Sequence, residues 1–201
     1  MRPPIDTCNG NSGTWRHAAT VLPHRFDTRY QTQTTNLPFP ASVRNVTILV
    51  DYQNVLINSA KAGAPISVSL LARALSRRYA FTRFHLFTSH NMLPGNINPP
   101  QGVYVRYEVQ YGAKNCDIGL TIFAMKNMLS WYKRGDAIIF CTGDGGFCEV
   151  ADVLRRFGRG INVAFLSLPG SSTSKTILHS RYEVGIIGED ILEGKQLRVV
   201  T

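Results

Sequence analysis

Two short apolar runs in this chain each lead into an aspartate. Residues 46–50 are followed directly by Asp51, and residues 137–141 are followed three positions later by Asp144. A short run that is apolar throughout is typical of a strand buried on both faces, as in parallel sheets covered by helices. In open α/β sheets the carboxyl ends of the strands line the ligand crevice. Both aspartates are therefore predicted to lie at that edge.

Strand and helix patterns alternate from residue 45 onward. We predict strands at 45–51, 81–88, 102–109, 136–141, 161–166 and 184–187, and helices at 67–79, 116–133, 147–157 and 175–182. Residues 91–101 contain three prolines and are predicted to form a loop. Strands separated by helices imply right-handed crossovers, so we predict an α/β domain with a mostly parallel sheet.

The first 44 residues differ in composition from the rest. Residues 1–44 contain few large aliphatic residues and many Thr, Asn, Pro and Arg. A segment of this kind cannot bury enough apolar surface to fold alone. We interpret residues 1–44 as a basic, largely irregular arm and residues 45–201 as the folded domain. Composition leaves open whether the arm binds RNA, docks a protein partner or a second copy of the chain, or carries an organelle address.

The charge of the chain favours a phosphate-rich partner. The formal net charge is +9 over 201 residues, and nucleic acid is the first class of partner to consider. No stretch reaches the ~18 continuous apolar residues of a membrane span, so no membrane partner is expected. The four cysteines lack the paired spacing of a zinc site, and no secretory signal pattern is present. We therefore expect a cytoplasmic protein whose cysteines are small core residues.

Two polar motifs have both a structural and a catalytic interpretation. Asp51 and Asn54 follow the first strand, where an aspartate often caps a helix and an asparagine often satisfies a turn. Both side chains can also enter one pocket. Lys114 and Asp117 open the predicted helix at 116–133, where a carboxylate also gains a favourable contact with the helix dipole. Neither motif decides between the two interpretations by itself.

A third motif is more specific. The strand at 136–141 is followed by Thr142, Gly143, Asp144, Gly145 and Gly146. Three glycines around one aspartate allow the backbone to approach a ligand closely, and the threonine adds a hydroxyl to the same rim. No Gly-Lys-Ser/Thr sequence follows, so the segment is not a phosphate-binding P-loop.

Taken in order, the motifs Asp-x-x-Asn, Lys-x-x-Asp and Thr-Gly-Asp-x-x-Phe resemble those of the NYN domain, in the LabA-like branch of the PIN-like nucleases. The resemblance extends over residues 45–187. It implies a three-layer α-β-α domain, PIN-like or Rossmann-like, that hydrolyses RNA with Mg²⁺ or Mn²⁺. It also implies that Asp51, Asp117 and Asp144 are metal ligands, with Asn54 and Thr142 as supporting groups of the catalytic site.

The sequence departs from this family pattern at two places. Gly146 stands where the family usually has a second aspartate, and Arg181 and Tyr182 stand roughly where an Ala-Asp pair is common. Three carboxylates can still hold one Mg²⁺ with water completing the shell, whereas a two-metal site is harder to form. Two alternatives therefore stay open beside a ribonuclease. One is a catalytically weak or inactive RNA-binding or scaffold protein, and the other is a metal-dependent phosphatase acting on a small nucleotide.

Several basic residues are candidate contacts for a single-stranded or structured RNA. We predict phosphate contacts from Lys114, Arg106, Arg155, Arg156 and Lys175. Tyr104 and Tyr107 flank Arg106 and can stack on bases, although strand tyrosines are more often core residues. His85 alternates with apolar residues and is expected to be a hydrogen-bonded strand histidine.

Overall fold

The computed structural model describes residues 34–43, 45–61, 65–89, 99, 101, 103–110, 115–128, 136–157, 160–168 and 173–192. The strands are β1 (Asn45–Asp51), β2 (Phe81–Ser89), β3 (Val103–Gln110), β4 (Ala137–Cys141), β5 (Asn162–Ser167) and β6 (Glu183–Ile186). The helices are α1 (Tyr52–Lys61), α2 (Val68–Arg78), α3 (Asn115–Met128), α4 (Phe147–Phe157) and α5 (Lys175–Leu178), followed by a short 3-10 helix (Glu189–Ile191).

The six strands form one sheet in the order β3-β2-β1-β4-β5-β6. Every adjacent pair of these strands is parallel, which confirms the predicted parallel sheet. The chain builds outward from β1 through β2 to β3 and then crosses to β4 on the other side of β1. The carboxyl ends of β1 and β4 are therefore the topological switch point, where open α/β sheets bind their ligands.

Helices cover both faces of the sheet. One core cluster combines Ile48 and Val50 of β1 with Leu71 and Leu75 of α2. A second cluster combines Leu49 of β1 with residues of α3 and α4, among them Leu120 and Leu154. Successive residues of β1 thus enter opposite cores, as the pleat of a strand requires. These layers confirm the predicted α-β-α architecture. Among the residues described, no helix combines the length and apolar character needed to cross a membrane.

Two elements differ from the prediction by more than one residue at an end. Helix α1 was not predicted, because its buried face consists only of Tyr52, Val55 and Ser59. The predicted helix at 175–182 is too long, since α5 ends at Leu178. Helix α3 follows the prediction as far as Met128, and the rest of the predicted helix lies outside the described residues. The predicted loop at 91–101 also lies outside them, except for residues 99 and 101.

Residues 34–43, which the composition places in the arm, pack against the domain. Asn36 forms an antiparallel bridge with Ile186 of β6, with N to O distances of 2.8 and 2.9 Å. The Tyr79 hydroxyl donates a hydrogen bond to the carbonyl of Pro38, and the side chain of Phe39 is buried. This part of the predicted arm therefore extends the sheet beyond β6. The division of the chain at residue 44 stays a prediction.

Candidate active site

Asp51 is the last residue of β1 and caps α1. Its Oδ1 accepts a hydrogen bond of 3.1 Å from the backbone N of Asn54, and its side chain is almost fully buried. The helix cap that the sequence suggested is therefore present. The cap uses one carboxylate oxygen and turns the other toward the end of β4. The helix cap therefore also fixes the orientation of the Asp51 carboxylate at the switch point.

Thr142 connects the carboxylate of Asp51 to the glycine-rich loop. Its hydroxyl donates to Asp51 Oδ2 over 3.1 Å and accepts from the backbone N of Asp144 over 3.1 Å. The Ser167 hydroxyl in turn donates to the carbonyl oxygen of Thr142 over 2.6 Å. Ser167 was not among the predicted site residues. The same signal identifies it, because Ser167 is a polar residue at the carboxyl end of a buried strand.

Asn54 holds the same loop from the side of α1. Its Oδ1 accepts hydrogen bonds of 3.1 Å from the backbone N of Gly143 and 3.1 Å from Asn58 Nδ2. Asn54 therefore does more than satisfy its own turn. It joins the first turn of α1 to the segment after β4, and it brings the first and third sequence motifs together.

The loop that carries Asp144 is closely packed against the start of α5. Asp144 Oδ1 accepts a hydrogen bond of 2.8 Å from the backbone N of Gly146, and Ser174 N donates to the carbonyl of Gly143 over 2.9 Å. A Cβ atom at Gly145 would lie 2.5 Å from Ser174 Oγ. Glycine is required there by this close approach. A Cβ atom at Gly146 would meet nothing closer than Asp144 Oδ1 at 3.4 Å.

Asp117 lies exposed in the first turn of α3, close enough for its charge to act on Asp51. Burial raises the pKa of Asp51 to about 6, with further increases from the charges of Asp117 and Asp144, although hydrogen bonds from Asn54 and Thr142 oppose them. Burial and the charge of Asp144 also raise the pKa of Asp117. The three carboxylates therefore repel one another at one end of the sheet.

This donor set fits a hydrated divalent cation. Within the described ranges no lysine, arginine or histidine forms an ion pair with Asp51, Asp117 or Asp144, so their charge is not offset there. No three acidic, histidine or cysteine side chains of the described segments group tightly enough to hold an ion among themselves. Mg²⁺ commonly uses only one or two carboxylates and keeps several waters. Carboxylate oxygens are also the donors that Mg²⁺ and Mn²⁺ prefer.

The model of one protein family, the NYN domain, matches residues 45–182, which is more than half of the chain. The chain belongs to the NYN domain family. Membership places this NYN domain among the nuclease-type domains of the PIN-like superfamily. Its assignment to the LabA-like branch stays a prediction.

The fold of this NYN domain also occurs in a solved structure. The crystal structure of a protein of unknown function from Vibrio parahaemolyticus aligns with a TM-score of 0.53 at 19% identity, over 74% of this chain and 96% of that one. At this identity the likeness shows the fold alone. No curated protein is significantly similar to this chain.

The predicted RNA contacts of the NYN domain lie in different places. Lys175 is the first residue of α5, directly after Ser174, and is therefore next to the acidic loop. Arg155 and Arg156 lie in the last turn of α4, about 12 Å along the helix from its start near Asp144. Arg106 lies on β3, and Lys114 lies outside the described residues. The structure thus brings Lys175 to the acidic edge and leaves Arg155 and Arg156 remote from it.

The cysteines in the described part of the chain are structural. Cys116, Cys141 and Cys148 are free thiols and buried, as the sequence suggested, and Cys8 lies outside the described residues. Burial raises the pKa of the Cys141 thiol far above its usual range. These cysteines therefore belong to the packing beneath the acidic edge.

Proposed function

We propose that this NYN domain is a metal-dependent ribonuclease that hydrolyses phosphodiester bonds at the carboxyl edge of its sheet. The observation that supports the proposal most directly is the electrostatic one. Burial raises the pKa of Asp51 to about 6, and the charges of Asp117 and Asp144 at the same end of the sheet add a smaller increase. Maintaining such repulsion without a described counter-charge is unfavourable, and a divalent cation would remove it.

Asp51, Asp117 and Asp144 would hold Mg²⁺ or Mn²⁺, directly or through water. When bound, such a cation supplies an activated water and offsets charge on the phosphate oxygens. The other residues act on the carboxylates. Thr142 and Asn54 hold Asp51 and the loop after β4 in fixed positions through the hydrogen bonds described above. No side chain is needed as a covalent nucleophile.

RNA is the proposed substrate because of the family and the charge of the chain. The net charge of +9 favours a polyanion over a small neutral ligand. Lys175 is an exposed cation next to the glycine-rich loop, and it would contact a phosphate of the bound RNA. Contacts of this type position a strand without reading its sequence.

The test is cleavage of an end-labelled single-stranded RNA by the full chain with Mg²⁺, with Mn²⁺ and with EDTA. Asp144→Asn removes one proposed ligand and preserves the size of the side chain. Asp152→Asn is the matched control, because Asp152 is an exposed carboxylate on α4 whose partners are Arg181 and Tyr182. Cleavage that requires metal, is lost in Asp144→Asn and persists in Asp152→Asn supports the proposal. Equal cleavage by both variants, or cleavage in EDTA, contradicts it.

One specific observation favours a second candidate, a non-catalytic RNA-binding protein. Gly146 supplies no carboxylate where the family usually has one, and the described acidic side chains form no tight group of three. This candidate predicts that folded protein binds the RNA in a salt-dependent manner, that Asp144→Asn binds equally well, and that no preparation cleaves. Metal-dependent turnover above that of Asp144→Asn rules it out.

A further inference from the structure

A cavity of about 420 Å³ opens on the surface of β2 and β3, apart from the acidic loop. Among the described residues it is lined by Arg83, His85, Tyr104 and Arg106. The parallel register pairs Arg83 with Tyr104 and His85 with Arg106. Two strands therefore contribute two side chains each, and all four side chains are polar or charged. A cavity of this volume is large enough for a small organic ligand.

Each of the two arginines has a contact that holds it in place, and that contact does not occupy all of its N–H donors. Arg106 Nε lies 3.0 Å from Glu108 Oε1, and about half of the Arg106 side chain is exposed. The Arg83 guanidinium lies over the ring of Phe81, at 5.2 Å from its centroid. A guanidinium has five N–H donors, so the contact with Glu108 leaves most of those of Arg106 available. Two arginines against one glutamate leave one net positive charge, which suits the single negative charge of a phosphodiester.

His85 has an atom that lacks a partner. The residue is 1% exposed, and its buried Nε2 has no hydrogen bond to the described residues. Its Nδ1 lies 3.4 Å from Glu108 Oε1, and its ring packs 4.4 Å from that of Phe123. His85 is thus a hydrogen-bonded strand histidine, as predicted, through Nδ1 alone among the described residues. When Nδ1 donates to Glu108, Nε2 is an acceptor. It is buried, so His85 forms the floor of the cavity, and the two arginines and Tyr104 supply the contacts with a ligand.

Tyr104 adds an exposed aromatic surface at the rim. It is 55% exposed, so it is not the core residue that a strand tyrosine usually is, whereas Tyr107 packs against the core. An exposed ring beside two guanidinium groups is the combination that binds single-stranded nucleic acid, with phosphate on the cations and a base on the ring.

We infer that this cavity is a subsite for one nucleotide of a single-stranded RNA. Arg83 and Arg106 would contact the phosphate, Tyr104 would stack on the base, and His85 would form the floor of the cavity. The inference deepens the proposed function and rests on it for the identity of the polymer. The subsite itself needs no metal.

The cavity lies on the same face of the sheet as Asp51. Side chains two residues apart on a strand share a face, so Asp51 shares one with Leu49, and His85 shares one with Phe87. Leu49 and Phe87 belong to the same core cluster. From the strand register, the Cα atom of Arg106 lies about 12 Å from that of Asp51. Phe123 of α3 packs on His85 on this face, so an RNA strand held in the cavity would reach the acidic edge around α3.

The first measurement is binding in EDTA, which removes metal and prevents cleavage. A fluorescent single-stranded RNA is titrated with the full chain, and AMP, ribose 5-phosphate, inorganic phosphate and polyglutamate compete for it. We expect AMP to displace the RNA at lower concentration than ribose 5-phosphate or inorganic phosphate, because only AMP has a base to stack. Equal competition by ribose 5-phosphate, or by polyglutamate at equal charge, would overturn the inference.

The second measurement compares variants that remove the same charge from different faces. Arg83→Gln/Arg106→Gln alters the cavity, and Arg73→Gln/Arg77→Gln alters two exposed arginines of α2, which packs on the other face. We expect only the cavity pair to lose AMP competition. Tyr104→Ala should weaken AMP binding at least about fivefold, the lower limit for loss of one base stack, and Tyr104→Phe should not. Equal losses in both arginine pairs would overturn the inference, and thermal melting confirms that each variant is folded.

The two proposals fail in different ways. If AMP binds in the cavity and no metal-dependent cleavage occurs, the subsite stands and the ribonuclease proposal falls. If RNA is cleaved with metal and the Arg83→Gln/Arg106→Gln protein binds and cleaves like the unaltered protein, the ribonuclease stands and the subsite falls.

Discussion

The hydroxyl of Thr142 donates a hydrogen bond of 3.1 Å to Oδ2 of Asp51, joining the ends of two adjacent strands at the switch point. The same hydroxyl accepts from the backbone N of Asp144. Because Thr142 is fully buried, both bonds are protected from water. One side chain thus sets the position of one carboxylate and of the loop that carries another.

We predict that Thr142→Val weakens both the fold and the metal site. Valine has nearly the same shape but leaves Asp51 Oδ2 and Asp144 N without this partner, which should cost about 1–3 kcal/mol of unfolding free energy. The pKa of Asp51 should rise further, because the lost bond favours its ionised form. Urea unfolding and Mn²⁺ titration measure the two effects. Thr142→Ser keeps the hydroxyl and serves as the control, and equal results for both variants would contradict the assigned role.

The raised pKa of Asp51 predicts how the stability of the metal-free protein depends on pH. The pKa is about 6 in the folded state, against an ordinary aspartate value of 3.8, so the folded state holds the proton more tightly than the unfolded chain. Stability from this group is therefore full below pH 4 and is lost as the pH rises to about 6. The difference corresponds to about 3 kcal/mol. Asp51→Asn lacks this titration, and it should exceed the unaltered protein in stability at pH 7.5 but not at pH 4.

Urea unfolding in EDTA at both pH values measures this dependence. Mg²⁺ should stabilise the unaltered protein more at pH 7.5 than at pH 5, since a ligand carboxylate must be ionised. Asp152→Asn is again the control, because Asp152 is exposed and its hydrogen-bond partner Arg181 is not a residue of the acidic edge. If Asp51→Asn is less stable than the unaltered protein at pH 7.5, the electrostatic account of the site is wrong.

The acidic edge is predictable from sequence because strand ends are marked by composition. A buried apolar run stops where a polar residue begins. Because parallel strands have their carboxyl ends at one edge of the sheet, Asp51 and Asp144 are expected at the same edge. Ser167 follows the same rule, but a lone serine is common at the end of a strand and is a weak signal by itself. Asp117 was predicted from its family motif and the start of a helix.

The cavity on β2 and β3 is only partly predictable, because the sequence suggested Arg106 and Tyr104 as RNA contacts but not Arg83 or His85. Arg83 and Tyr104 lie 21 positions apart in the sequence, and their contact depends on the register between β2 and β3. Composition does not reveal the register between two strands. It also does not reveal that Tyr104 lies exposed on an edge strand. The remote position of Arg155 and Arg156 also follows from the direction in which α4 leaves the sheet. Charge alone therefore identifies basic residues but not which of them share a surface.

Gly145 and Gly146 are adjacent in sequence, yet we predict different tolerance to substitution. A Cβ atom at Gly145 would lie 2.5 Å from Ser174 Oγ and 2.8 Å from Thr176 Cβ, so Gly145→Ala must displace the start of α5. We expect a loss of about 1–3 kcal/mol, as for other overpacked sites. Gly146→Ala meets only ordinary contacts and should change stability by less than about 0.5 kcal/mol. Chemical denaturation of the two variants compares them, and equal losses would show that the loop packing is not tight.

Gly146→Asp is predicted to strengthen the metal site. The Cβ atom would lie 3.4 Å from Asp144 Oδ1, so the new carboxylate has room and starts beside an existing one. Without metal the added repulsion should lower stability, and with Mn²⁺ the extra charge should raise affinity by about tenfold, since ligand charge tunes cation binding. Calorimetric Mn²⁺ titration measures this change.

Gly146→Asn has the same size without the charge, so it separates the effect of the carboxylate from that of the side chain. A gain in Mn²⁺ affinity for Gly146→Asp alone would locate the cation beside Asp144. Cleavage that rises together with affinity would mean that Gly146 limits an active ribonuclease. Equal affinity in both variants would mean that the cation, if bound, lies nearer Asp51 and Asp117 and that position 146 does not face it.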